Sequence, residues 1–116
     1  MKALELEPDN ALIWSNLGVS FSRLGMEEEA LECLNRALEL EPENEIIWCN
    51  AGVALGNIEM YEEALKCFNR ALELNPEYVD AWYNKGSVLR DLGLYDDAAK
   101  CFDKVWKILG ERAGSS

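Results

Sequence analysis

Three stretches decide the reading of this chain: NALIWSNLGVSFSRLGMEEEALECLNRALELEP (residues 10–42), NEIIWCNAGVALGNIEMYEEALKCFNRALELNP (residues 44–76) and VDAWYNKGSVLRDLGLYDDAAKCFDKVWKILG (residues 79–110). Trp14, Trp48 and Trp82 stand 34 residues apart. Gly18, Gly52 and Gly86 keep the same period, as do Ala30, Ala64 and Ala98. Pro42 and Pro76 close the first two stretches, and Pro8 lies one period earlier. A fixed period of this size marks a stack of like units, each too small to bury its own apolar face.

Each unit reads as two helices. In the first, Trp14, Leu17, Phe21 and Leu24 step by three and four residues, which is one helical face. Gly25 interrupts it. Ala30, Leu34, Ala37 and Leu38 mark a second helix that ends before Pro42. Gly18, Gly52 and Gly86 sit mid-helix, where glycine costs about 1 kcal/mol against alanine. Their recurrence at one phase predicts a close approach of two helices, with Ala30, Ala64 and Ala98 on the facing helix.

These residues resemble the tetratricopeptide repeat, a 34-residue helix–turn–helix unit with W-x2-L-G, then A-x3-F, then proline. The first unit offers Trp14, Leu17, Gly18, Phe21, Ala30, Leu34, Ala37 and Pro42. The second offers Trp48, Ala51, Gly52, Leu55, Ala64, Phe68, Ala71 and Pro76. The third offers Trp82, Gly86, Leu89, Ala98 and Phe102, but departs from the pattern at Lys85, Val105 and Gly110. Gly110 is expected to end the last helix as its C′ residue. The resemblance implies an all-α fold, a right-handed superhelical solenoid of helix–turn–helix hairpins. The expected boundaries are 9–42, 43–76 and 77–110 for three repeats, with 1–8 the end of a truncated preceding repeat and 111–116 a disordered tail.

Both ends bear on association. Lys2 to Pro8 copies Arg36 to Pro42, so the chain opens inside a second helix whose own first helix is missing. The chain is therefore expected to be a piece of a longer array or to cover its ends by self-association as a homo-oligomer. Trp106 and Ile108 would be partly bare on the last helix; the alternative packs Trp106 into the third unit, as for Leu38 and Leu72 at the same phase.

Composition narrows the chemistry. The 116 residues carry a net charge of −11 and no histidine. Coulomb repulsion then opposes phosphate-rich partners, so neither nucleic acid nor an anionic membrane surface is expected. A partner with basic residues would be steered in faster, although simple solubility accounts for the charge equally well. No apolar run approaches the ~20 residues of a membrane span, and Met1 to Asn10 has no signal-peptide core. Cys33, Cys67 and Cys101 recur at the period, and Cys49 stands apart. Equivalent positions in stacked repeats lie ~10 Å apart, and a disulfide needs Cα atoms within ~7 Å. Free thiols in a reducing, cytoplasmic setting are expected.

Nothing in the sequence points to catalysis, a metal or a cofactor. There is no GxSxG, HExxH or phosphate-binding glycine loop. The carboxylates Glu27–Glu29, Glu62–Glu63 and Asp96–Asp97 each open a second helix, where negative charge suits the helix dipole.

The candidate functional surface is a second stripe on the first helices, offset by roughly 200° from the tryptophan stripe. It comprises Leu12, Ser15, Val19 and Ser22, then Ile46, Cys49, Val53 and Gly56, then Asp80, Tyr83, Ser87 and Arg90. Residues 11–22 and 46–58 carry no charge at all, although a surface helix normally sets charges opposite its core face. The resemblance implies that first helices line a concave, ligand-holding surface. Asn16, Asn50 and Asn84 recur beside the stripe, and an amide can both donate to and accept from a bound main chain. A protein-binding scaffold taking a peptide or a helix is thus expected, and the competing reading packs part of the stripe on the neighbouring repeat. Two other roles stay open: a self-associating structural module, and a substrate-recruiting arm of a larger enzyme. Some tetratricopeptide domains grip a C-terminal carboxylate with Lys, Asn and Arg side chains. The matching places here hold Ser15, Val19, Asp80 and Asn84, and only Asn50 fits.

Overall fold

The computed structural model describes residues 9–114. Six helices follow in order: α1 (Ala11–Arg23), α2 (Glu27–Leu40), α3 (Glu45–Asn57), α4 (Tyr61–Leu74), α5 (Val79–Asp91) and α6 (Tyr95–Gly114). They pair as hairpins, α1 with α2, α3 with α4 and α5 with α6, and the hairpins stack. Residues 1–8, expected to close a preceding repeat, lie outside the described residues.

Local chemistry sets the boundaries. The Asn10 side chain accepts from the Ile13 amide at 3.1 Å and caps α1; Asn44 accepts from the Ile46 amide at 2.9 Å and caps α3. The indole N–H of Trp48 donates to the Pro42 carbonyl at 2.7 Å, and that of Trp82 donates to the Pro76 carbonyl at 2.8 Å. Each tryptophan thereby ties its helix to the end of the previous repeat, which is why tryptophan and proline share one period. The hairpin turns need one left-handed residue each. Gly25 (φ 77°) and Gly93 (φ 82°) supply it without strain, and Glu59 (φ 64°) fills the equivalent place in the middle repeat.

The mid-helix glycines do mark a close approach. A Cβ on Gly18 would lie 2.8 Å from Leu34 Cδ2 and 3.3 Å from the Ala30 carbonyl oxygen. On Gly52 it would lie 2.5 Å from Phe68 Cε1, and on Gly86 2.7 Å from Phe102 Cε1. The partner is therefore chiefly the large side chain one turn beyond the alanine. Ala30, Ala64 and Ala98 are themselves buried on the facing helices. The central core gathers Leu34, Leu55, Phe68, Leu72 and Val88 from three hairpins. Lys85, a departure from the repeat pattern, sets its ammonium 5.5 Å from the centre of the Trp82 ring.

The last helix corrects one expectation. Gly110 does not end it; α6 continues to Gly114, so residues 111–114 are helical and not a disordered tail. Glu111, Arg112 and Ala113 are good helix formers, and Arg112 donates to the Glu77 carbonyl at 2.8 Å, fastening the final turn to the loop before α5. Trp106 is left bare at 81% exposure, whereas Ile108 is buried.

Candidate functional site

The first helices α1, α3 and α5 lie side by side, and the expected stripe falls on this layer. The structure divides it. Leu12 is 48% exposed, Ile46 42% and Tyr83 54%, while Asn16, Asp80 and Arg90 are exposed and Val19, Asn50, Val53, Asn84 and Ser87 are half-buried. Ser15, Ser22 and Cys49 are buried and must be withdrawn from the open surface. Ser15 and Cys49 occupy one phase, each sealed by the next first helix, so packing on the neighbouring repeat explains them. Tyr83 holds that phase in the third repeat, where no further first helix covers it among the described residues.

Asn50 and Asn84 are not free to grip a ligand with their N–H groups, whereas exposed Asn16 takes part in these bonds only as an acceptor. Asn50 Nδ2 donates to Ser15 Oγ at 3.1 Å and to Asn16 Oδ1 at 3.4 Å. Asn84 Nδ2 donates to the Asp80 carbonyl at 2.8 Å and reaches Cys49 Sγ at 3.9 Å. The Asn50 bonds and the Asn84–Cys49 contact tie one repeat to the next, the Asn84–Asp80 bond stays within α5, and the side-chain carbonyls of Asn50 and Asn84 are left as acceptors.

Sequence reasoning missed a second tie and its absence. At the first junction Asn57 Nδ2 donates to Ser22 Oγ at 2.9 Å. One period later the same places hold Asp91 and Gly56, a carboxylate in place of the donating amide and a residue with no side chain. The α3–α5 contact is correspondingly thinner than the α1–α3 contact. A shallow cleft of about 130 Å³ opens there, lined by Val53, Gly56, Asn84, Ser87 and Asp91, with Phe68 at its floor. The substitutions were visible at matched positions in the sequence; their consequence needed the bond at the first junction.

Two titratable groups beside this layer hold their protons more tightly than usual. Burial, opposed by the Asn84 hydrogen bond and reinforced by the Asp80 charge, pushes the Cys49 thiol up to about 12. Burial, helped by the charges of Cys49, Asp80 and Glu45, also pushes the Tyr78 hydroxyl up to about 12. Neither supplies a nucleophile near neutral pH. All four cysteines are free and buried, and the described residues contain no cluster of three or more potential metal ligands. No helix among the described residues is long and apolar enough to cross a membrane.

Comparison with known proteins places this geometry. Tetratricopeptide repeat models match residues 11–44 and 46–78, and a second such model matches residues 67–100. No curated protein matches the sequence. Among solved structures, the crystal structure of MamA superposes with a TM-score of 0.77 at 28% identity, over 92% of this chain and 63% of that one. The chain thus spans less than two thirds of the MamA chain. The second tetratricopeptide domain of Spaghetti (RPAP3), bound to the HSP90 peptide SRMEEVD, superposes with a TM-score of 0.74 at 27% identity, over 93% of this chain and 99% of that one.

Proposed function

Because the chain belongs to the tetratricopeptide repeat family, a family of protein-interaction modules, we propose that it holds a peptide or helical segment across α1, α3 and α5. The observation that carries this reading is the cleft between α3 and α5, open where the repeat-to-repeat tie of Asn57 and Ser22 has become Asp91 and Gly56. Val53 offers apolar contact in the cleft, Leu12 and Ile46 are exposed nearer the other end of the layer, and α1 and α3 are almost free of charge. The cleft lining includes Asp91, the Ser87 hydroxyl and the Asn84 carbonyl, and no lysine or arginine. Such a lining accepts hydrogen bonds and favours a cation. Arg90 already stands 3.7 Å from the Asp91 carboxylate in an exposed pair, so the ligand is a segment with apolar anchors and a Lys or Arg side chain that replaces Arg90 at Asp91. It differs in charge from the acidic peptide on the Spaghetti domain, and the sparse basic groups argue against a carboxylate grip.

A displayed library of random peptides, panned on the wild-type chain, tests this. Enrichment of sequences that combine apolar and basic residues is expected. Val53→Asp and Asp91→Asn should each lose those peptides while keeping the wild-type melting temperature. A library without enrichment, or a collapse of melting in Val53→Asp, would overturn the assignment.

A further inference from the structure

The outer side of α6 has a pattern that no other described residue covers. Tyr95 is 68% exposed and Trp106 81%. The residues one period earlier are covered: Tyr61 is half-buried and Leu72 only 9% exposed, both packed in the central core. Tyr95, Ala99, Trp106 and Gly110 fall within an arc of about 60° on the helix. Ala99 stands where the first two repeats have Leu31 and Leu65. Gly110 lies inside the helix, where glycine is among the least favourable residues. A Cβ on Gly110 would meet nothing within 4 Å, so the folded chain itself does not require a glycine there.

Read in reverse, the four residues match themselves. In an antiparallel pair centred between Phe102 and Asp103, residue 95 faces residue 110 and residue 99 faces residue 106. Large then meets small at every contact: Tyr95 over Gly110, and Trp106 over Ala99. The charges come close under that reversal. Asp96, Lys100, Asp103 and Lys107 run along the flank. Turning the helix end for end brings Lys107 within two residues of the place facing Asp96 and Lys100 within two of the place facing Asp103, an axial offset of about 3 Å that long side chains span. Four acids and four bases balance on α6, within a chain of net charge −11.

We propose that this face binds a second copy of the chain, α6 against α6, antiparallel about a two-fold axis. Such an interface is closed, because each copy spends the same face on the other. It leaves the α1–α3–α5 layer free for a ligand.

The test is the mass of the intact chain by sedimentation equilibrium and light scattering, from about 1 μM to about 1 mM. The mass should rise from one protomer to two and stop there. Trp106→Asp should stay at one protomer throughout with its helical circular dichroism intact, since the side chain is exposed. Gly110→Gln should weaken the dimer at least tenfold while the dilute protomer melts higher. Asp96→Lys and Lys107→Glu should each weaken it several-fold, and the double variant should recover it. Val53→Asp should leave the mass curve unchanged, which separates this interface from the proposed peptide groove. A single protomer at every concentration, growth beyond two, or failure of the double variant to recover the dimer would overturn the proposal.

Discussion

Changing Gly52 to alanine puts the helix–helix approach to a quantitative test. The new methyl would lie 2.5 Å from Cε1 and 2.8 Å from Cδ1 and Cζ of Phe68. Real contacts of that kind do not fall below about 3 Å, so either the ring or α3 must move. Phe68 is fully buried in the central core, and its planar ring has no torsion that frees Cε1 without repacking. Overpacking a tight core costs about 1–3 kcal/mol, and a contact this short belongs at the upper end. Alanine returns about 1 kcal/mol of helix propensity. The net loss is then about 2 kcal/mol, which lowers the melting temperature by roughly 8 °C for a chain of this size. Gly110→Ala is the control, because its methyl meets nothing; it should raise melting by about 4 °C when measured dilute. Thermal unfolding followed at 222 nm reads both. Adding Phe68→Leu, the residue type that faces Gly18 in the first repeat, should recover part of the loss. If Gly52→Ala stabilises as much as Gly110→Ala, the glycine is not there to admit the ring, and the account of the repeat's tight crossing is wrong.

Three further outcomes follow from the same contacts. Glu59→Gly should stabilise by about 1 kcal/mol, because Glu59 holds a left-handed turn (φ 64°) that Gly25 and Gly93 fill elsewhere; an unchanged or lower melting temperature would contradict this. Alkali should weaken the fold. Burial raises the Cys49 thiol from 9.0 to about 12 and the Cys67 thiol to about 11, so the native state keeps protons that the unfolded chain releases. The stability from this source is whole below about pH 9 and is lost as pH climbs towards about 12. Melting curves that stay flat across that window would exclude it. Finally, Gly56→Ser with Asp91→Asn rebuilds the first junction's tie at the second. A Cβ on Gly56 has an ordinary 3.6 Å contact with Val88, so the pair should fit, add about 1 kcal/mol and abolish peptide capture at the cleft.

The helices and their pairing were legible because repetition amplifies weak signals. One glycine inside a helix says little, but three at a 34-residue period, each opposite a bulky side chain, describe an interface. Gly110 was misread for the complementary reason. A lone glycine after an apolar run looks like a helix end, and the contact that carries α6 onward, Arg112 on the Glu77 carbonyl, spans 35 residues and has no local signature. The binding stripe was half legible. A first helix here serves two neighbours, the second helix of its own hairpin and the first helix of the next. Periodicity alone gives a residue's direction and does not say whether another helix lies there. Ser15 and Cys49 therefore looked like groove residues and turned out to be seams.

The informative signal was present in a different form, as changes at one phase from repeat to repeat. Along the seam the sequence runs Ser15, Cys49, Tyr83: two small residues where a helix lies on top, then a large one where none does. Along the cross-tie it runs Ser22 to Gly56 and Asn57 to Asp91, and the second junction opens where both tie residues change. On the outer side of the second helices it runs Leu31, Leu65, Ala99, and the smaller residue comes where Trp106 and Gly110 set up a new self-complementary face. Positions that hold constant across the period build the solenoid, since every repeat must solve the same packing problem. Positions that change have been released from that problem, and a residue released from packing can contact something else. The cleft at Asp91 and the bare face of α6 are where this chain departs most from its own repeat.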